Sequence, residues 1–217
     1  MLNRDLIAFD LDGTLVDTVP SIFEALNKCR KQHDLPLVDI YFVRVKVGLP
    51  VNHLFKDVKN DVFVTSILVP SFREILLGIQ LTQNALYAGT LPLLSFISEN
   101  GFSLSVATSK PTYLAEKTLE MTGLSRFFDL VVGTDNNLHK PHPWVLHETR
   151  RIYGQLPRLM IGDRVEDAGA ALAAGVSFIA VLQSTHTKED FLPFGPIGIY
   201  NSTLDLLEKW KIESVFD

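Results

Sequence analysis

Apolar residues in this 217-residue chain follow two alternating rhythms. One is a series of short runs: Leu6 to Phe9, Phe102 to Ala107, Phe127 to Val132, Leu159 to Ile161, Phe178 to Leu182 and Ile197 to Tyr200. Each is rich in branched or aromatic side chains and is bounded by polar residues or glycine, which predicts strands. Between them, Pro92 to Glu99, Tyr113 to Met121, Trp144 to Tyr153, Glu166 to Ala174 and Thr203 to Trp210 carry helical spacing. Gly101, Gly123, Gly154 and Gly175 stand just past four of these segments, where a helix can end in a left-handed residue. Strands alternating with helices predict an α/β fold, a doubly wound parallel sheet of Rossmann type. Such sheets place ligands at the carboxyl ends of their strands.

The alternation breaks after the first run. Ile22 to Gln32 and Val62 to Ile79 have helical spacing, Gly48, Leu49 and Pro50 suggest a loop, and Ile40 to Val47 fits either a strand or a helix. This predicts a second, smaller helical cap domain at residues 18–84, inserted into a core made of residues 1–17 and 85–217. The insertion holds eight Lys or Arg against six Asp or Glu in a chain of net charge -5.

Composition narrows the function classes. With 47% hydrophobic and 21% charged residues, a packed core is expected. The acidic balance offers no basic footprint for nucleic acid, so the expected partner is a small molecule. The one cysteine, Cys29, has no internal disulfide partner, and Met1 to Asp12 lacks a secretory apolar stretch, which together predict a cytoplasmic protein. The apolar segment Val62 to Leu81 is interrupted by Ser66, Pro70, Ser71, Arg73 and Glu74, so no membrane span is expected. Nothing in the sequence bears on oligomeric state.

Candidate chemistry begins where the first strand ends. Residues i and i+2 of an extended chain point the same way, so Asp10 and Asp12 project together into the expected ligand crevice. Two carboxylates so close repel unless a cation joins them, and a hard divalent ion with oxygen ligands, above all Mg2+, suits them. A bare pair of acids before a glycine turn is equally compatible with two solvated side chains.

Three further segments change that balance, each after a predicted strand: Ala107-Thr108-Ser109-Lys110, Lys140-Pro141-His142-Pro143, and Ile161-Gly162-Asp163-Arg164-Val165-Glu166-Asp167. Together with Asp10-Leu11-Asp12-Gly13-Thr14, and in this order, they resemble the haloacid dehalogenase superfamily of phosphotransferases, in particular its phosphoglycolate-phosphatase-like branch. The resemblance covers nearly the whole chain. It implies that Asp10 is a nucleophile forming an acyl phosphate and that Asp12 is the general acid and base. Thr108, Ser109 and Lys110 become donors to the phosphoryl oxygens, and Lys140 neutralises phosphate and Asp10. Asp163 becomes a magnesium ligand alongside the Asp10 side chain and the Asp12 carbonyl, with Asp167 in or beside that shell. The run from Val43 to Gly48 resembles a cap loop entering such a site. Arg44, Lys46, Gly48 and His53 are therefore candidates for substrate contact, although a solvated basic helix face explains Arg44 and Lys46 equally well.

Other features have plainer readings. Asp17 and Thr18 suit a helix start. His139, His142 and His147 suggest zinc only in isolation, Cys29 suits packing, and Asn201-Ser202-Thr203 forms a glycosylation sequon with no expected use in the cytoplasm. Three functions fit the pattern: a phosphatase acting on a small phosphorylated metabolite, phosphoglycolate-like or a sugar phosphate; a sugar-phosphate mutase on the same framework; or a phospho-accepting signalling module. The chain is long for the last of these.

Overall fold

The computed structural model describes residues 4–83, 85–136 and 138–213. Strand β1 (Leu6–Phe9) is followed by a short β2 (Val16–Asp17), helices α1 (Val19–Gln32), α2 (Ile40–Arg44), α3 (Asp61–Phe63) and α4 (Val69–Gln83), and a short β3 (Ala85–Leu86). The regular alternation then resumes: α5 (Thr90–Glu99), β4 (Ser103–Ala107), α6 (Thr112–Thr122), β5 (Leu130–Val132), α7 (Trp144–Tyr153), β6 (Leu159–Gly162), α8 (Val165–Ala174), β7 (Ser177–Val181), α9 (Lys188–Phe191), β8 (Gly198–Tyr200) and α10 (Thr203–Glu213).

Six strands form one parallel sheet in the order β5-β4-β1-β6-β7-β8. Strand β1 lies between β4 and β6, with Phe9 level with Val106 on one side and Ile161 on the other. The chain departs from β1 in both directions, which makes its carboxyl end a topological switch point. All four β1 residues are buried because the sheet is covered on both faces. Ile7 and Phe9 join Leu93, Ile97, Leu119, Leu206 and Trp210 on one face. Ala8 joins Val145, Leu146, Met160 and Ala171 on the other, the period-two alternation of a strand turned into two cores.

The helical stretch between β2 and β3 has a third apolar cluster of its own, built from Ala25, Leu26, Cys29, Leu68 and Phe72 among others. The ambiguous Ile40 to Val47 run is helical over Ile40–Arg44, where the Asp39 carboxylate accepts from the Phe42 N–H at 2.7 Å and caps the start. Val64–Leu68 is a π-helical turn between α3 and α4. The run Asp61–Ile79 is long and apolar enough by composition to cross a bilayer; here Val64, Leu68, Phe72 and Leu76 pack into this third cluster. Arg30, 1% exposed, ties the cluster together by pairing with Asp57 and bonding the Pro36 carbonyl.

The short β2 and β3 strands pair antiparallel, Val16 opposite Leu86 and Asp17 opposite Ala85, so the chain leaves and re-enters the core side by side. Sequence periodicity missed this pair because two residues carry no period. Thr18 occupies the helix-start position of α1, but its side chain makes no capping bond; Asp17 instead accepts from the Val19 N–H at 3.2 Å.

Candidate active site

Asp10 follows directly on β1, and its N–H donates to the Ile161 carbonyl at 2.9 Å, which fixes it against the end of β6. Its carboxylate is 3% exposed and accepts from Lys140 Nζ at 2.6 Å. Lys140 reaches in from the loop between β5 and α7, donates to the Ala107 carbonyl at 3.0 Å and pairs with Asp167 at 2.5 Å. One lysine is thus held by the ends of three strands. Asp167 also accepts from the Arg164 N–H at 3.1 Å, closing the first turn of α8, where a carboxylate is favoured.

Asp163 follows β6 and is 1% exposed. Its carboxylate accepts from Thr14 Oγ1 at 2.7 Å. Gly13 carries the intervening turn at φ 96°, and a Cβ there would stand 2.5 Å from Asp163 Oδ2, so only glycine fits on both counts. Carboxylate oxygens of Asp10, Asp163 and Asp167 all lie within 4.8 Å of one another. Asp12 points its carboxylate elsewhere, to Lys110 Nζ at 2.8 Å.

Burial dominates the electrostatics. It pushes the Asp10 carboxyl up to about 7, opposed by Lys140 and reinforced by Asp167. Burial also raises Asp163, helped by the nearby Asp10 and Asp167 carboxylates. Burial pulls Lys140 the other way, but Asp10 and Asp167 outweigh it and hold the ammonium charged. Four carboxyl groups stand against two lysines here, so ionising all four would leave two uncompensated negative charges, a cost that adds to burial in raising Asp10 and Asp163. An all-oxygen donor set with that deficit fits one hard divalent cation.

Thr108, at the end of β4, donates its N–H to the Val132 carbonyl at 3.0 Å, while its hydroxyl accepts from the Lys110 N–H at 3.2 Å. The Lys110 amide, expected among the phosphoryl donors, is therefore occupied by Thr108, and its side chain by Asp12. Ser109 is 9% exposed, and its hydroxyl has no partner among the described residues.

A cleft of about 660 Å³ opens over Asp10, Asp12, Thr108 and Ser109, with the helical stretch as its roof. Lys46, Gly48 and His53 line it, as the sequence suggested. Arg44 does not; it is exposed and borders a separate hollow of about 90 Å³ beside Tyr87 and Arg164. The helical phase of α2 turns Val43 inward and leaves Arg44 outside, a choice invisible while strand and helix were both open. Gly48, at φ 87°, lets the loop approach the core so closely that a Cβ would stand 2.4 Å from Arg164 Cδ. Sequence reasoning also missed Arg73, Phe72 and His139 as cleft residues, since the first two come from a remote helix and the third reads as an ordinary loop histidine. Thr14 could have been found from its place in the first motif.

The description haloacid dehalogenase-like hydrolase matches this sequence over residues 7–181. The chain belongs to that family. It is similar to the phosphoglycolate phosphatase of Caulobacter vibrioides, 34% identical with 94% of this chain and 90% of the relative covered. It is also similar to the Dickeya dadantii protein named probable phosphatase IndB, 33% identical over 86% of this chain and 84% of the relative. Among solved structures, a predicted phosphatase from Clostridium acetobutylicum superposes with a TM-score of 0.84 at 28% identity, covering 96% of this chain and 99% of that one. The family and these relatives identify the chain as an enzyme, a phosphatase of the haloacid dehalogenase-like type.

Proposed function

We propose that this enzyme is a magnesium-dependent phosphatase that moves the phosphoryl group of a small phosphomonoester first to Asp10 and then to water. The observation that carries the reading is the charge-paired Asp10 at the switch point of the sheet, facing the cleft with Lys140 behind it. In the first step Asp12 enters protonated, released from its pair with Lys110; the Asp10 carboxylate attacks phosphorus, the ester P–O bond breaks, and Asp12 gives its proton to the departing oxygen. In the second, Asp12 takes a proton from water, the new hydroxide attacks phosphorus, and the acyl phosphate P–O bond breaks to return Asp10 and inorganic phosphate. Thr108 and the Ser109 N–H donate to the phosphoryl oxygens, and Lys140 offsets the charge of two approaching anions. Asp10 and Asp163, with the Asp12 main-chain carbonyl and Asp167 close by, would hold magnesium, which would supply a Lewis acid for the phosphoryl charge.

Residues 18–84 serve in this reading as a cap domain that closes over the cleft and excludes water from the acyl phosphate. The paired β2 and β3 strands, next to the chemistry, support such a hinge. The test is phosphate release from acetyl phosphate by purified protein, with magnesium, after verified metal removal, and after re-addition. Turnover should vanish without metal and return with magnesium, while calcium restores little because it favours more ligands and looser geometry. Undiminished turnover in excess chelator rules out the metal dependence, and a single stoichiometric phosphorylation without turnover rules out the phosphatase.

A further inference from the structure

We propose that the phosphomonoester hydrolysed here carries an apolar body, an aromatic or alicyclic group, lodged against the roof of the cleft. This rests on the phosphatase reading and goes on to name the leaving group. A phosphoryl group beside Asp10, Thr108 and Ser109 fills only one corner of a cleft of about 660 Å³. That volume falls in the range that ordinarily holds ligands of some twenty or more heavy atoms, on the order of several hundred Å³.

The larger part of the roof that encloses the remaining space is hydrocarbon, with Asn52 among the polar residues beside it. Ile22, Val47, Leu54, Val69, Phe72 and Leu76 line it, and the same side chains belong to the apolar cluster of the helical stretch. Val69, Phe72 and Leu76 recur at i, i+3 and i+7, one stripe along α4. Thr65, in the π-helical turn just upstream, also faces the cleft, with its hydroxyl committed to the Asp61 carbonyl at 2.8 Å. From the core side, Tyr113 presents a ring that is 51% exposed at the rim.

The cleft's basic side chains are less available than their number suggests. Lys46 Nζ lies 3.6 Å from the centroid of the Phe42 ring. His53 and His139 are both held below the ordinary histidine value, chiefly by burial, and so stand neutral near pH 7. Arg73 remains as a charged contact for a distal group. A two-carbon dianion has nothing to pack against this wall, whereas an apolar body covers the edges of it that face the cleft and gains the transfer free energy of its own buried surface.

The experiment compares kcat/KM of the magnesium-loaded enzyme for 2-phenylethyl phosphate, ethyl phosphate and phosphoglycolate, with acetyl phosphate as the general substrate. The two alkyl esters have leaving groups of similar basicity, so their ratio reports binding of the body. We expect 2-phenylethyl phosphate to exceed both ethyl phosphate and phosphoglycolate by about ten-fold or more, the scale of hydrophobic discrimination by a pocket. In Phe72→Ala that ratio should collapse toward one. Because Phe72 is only 3% exposed and its loss could disturb the fold, Val51→Ser supplies a second variant, at a half-buried cleft residue that opens a short 3-10 helix, with the same expected fall. A wild-type ratio near one, a preference for phosphoglycolate, or a ratio untouched by both variants overturns the inference while leaving the phosphatase standing. Failure to hydrolyse any ester, acetyl phosphate included, overturns the phosphatase reading and this inference with it.

Discussion

Asp10 and Asp12 open onto the floor of the cleft, paired with Lys140 and Lys110, and Asp163 and Asp167 lie buried beside Asp10. On the roof, Ile22, Val69, Phe72 and Leu76 present hydrocarbon to the same space. The floor concentrates charge that burial makes costly, since it pushes both Asp10 and Asp163 up. Within the helical stretch, the buried Arg30 pairs with the half-exposed Asp57, and neither lines the cleft. Charge under strain marks where bonds are to change, and charge at rest marks where a fold is being held.

The largest expected effect sharpens that contrast. Asp10→Asn keeps the shape and removes the proposed nucleophile, so turnover should fall by about 10⁴-fold or more in a protein that still unfolds cooperatively. Near-normal phosphate release from the folded variant would reassign the nucleophile. Lys140→Ala comes next, with a loss on the order of 10²–10³-fold in kcat/KM, comparable to removing one preorganised charge donor. A loss below ten-fold in steady-state assays would make Lys140 a structural partner of Asp167 only.

For the roof, Asp57→Ala strands the buried Arg30 and should lower stability in denaturant titration by about 3 kcal/mol, the low end for breaking a buried pair, because the Asp57 side chain is 44% exposed. An unchanged midpoint would show that the pair does not hold the helices. A smaller effect separates the floor by pH. Burial pushes Asp10 up to about 7 in the folded chain against its ordinary 3.8, so its contribution to stability is complete below 3.8 and is lost as pH rises through 7, and Asp163, raised by burial too, works in the same direction. His53, His139 and His186, all lowered mainly by burial, move stability the opposite way around their ordinary 6.5, so the reference is Asp10→Asn. Between pH 5.5 and 8 the metal-free wild type should lose several degrees of melting temperature relative to that variant, and magnesium should restore more at pH 8. Parallel melting curves would remove Asp10 as the source. The smallest effect is expected for Arg44→Ala: Arg44 lies outside the large cleft, so kcat/KM should stay within about two-fold of wild type. A ten-fold loss would put Arg44 back among the substrate contacts.

Legibility followed the range of the interaction. Asp10 and Asp12 were readable as candidates because they come straight after the first strand, although β1 ends at Phe9 and Asp12 turns to Lys110; Thr108, Lys140 and Asp163 were readable because each comes after a strand, where parallel sheets place ligands. The partners of these residues were not. That Lys140 sits between Asp10 and Asp167, or that Lys110 turns to Asp12, depends on strands brought side by side from distant parts of the chain. Phe72 and Arg73 read as interior and surface of an apolar helix, and only the packing of α4 against α1 and over the core makes them a wall of the cleft.

By itself, then, the sequence marked the longer strands and helices and the candidate groups that follow the strands. Strand and helix periods are local, and the motifs lie at strand ends that those periods already mark. Tertiary structure decided which charges compensate one another, which candidate contacts face the cleft, and how much room the substrate has. Arg44 and Lys46 are two residues apart in one basic run, yet one borders a small hollow and the other the cleft, because the turn that follows α2, with the Lys46 N–H on the Val43 carbonyl, separates directions that an extended chain would have kept together.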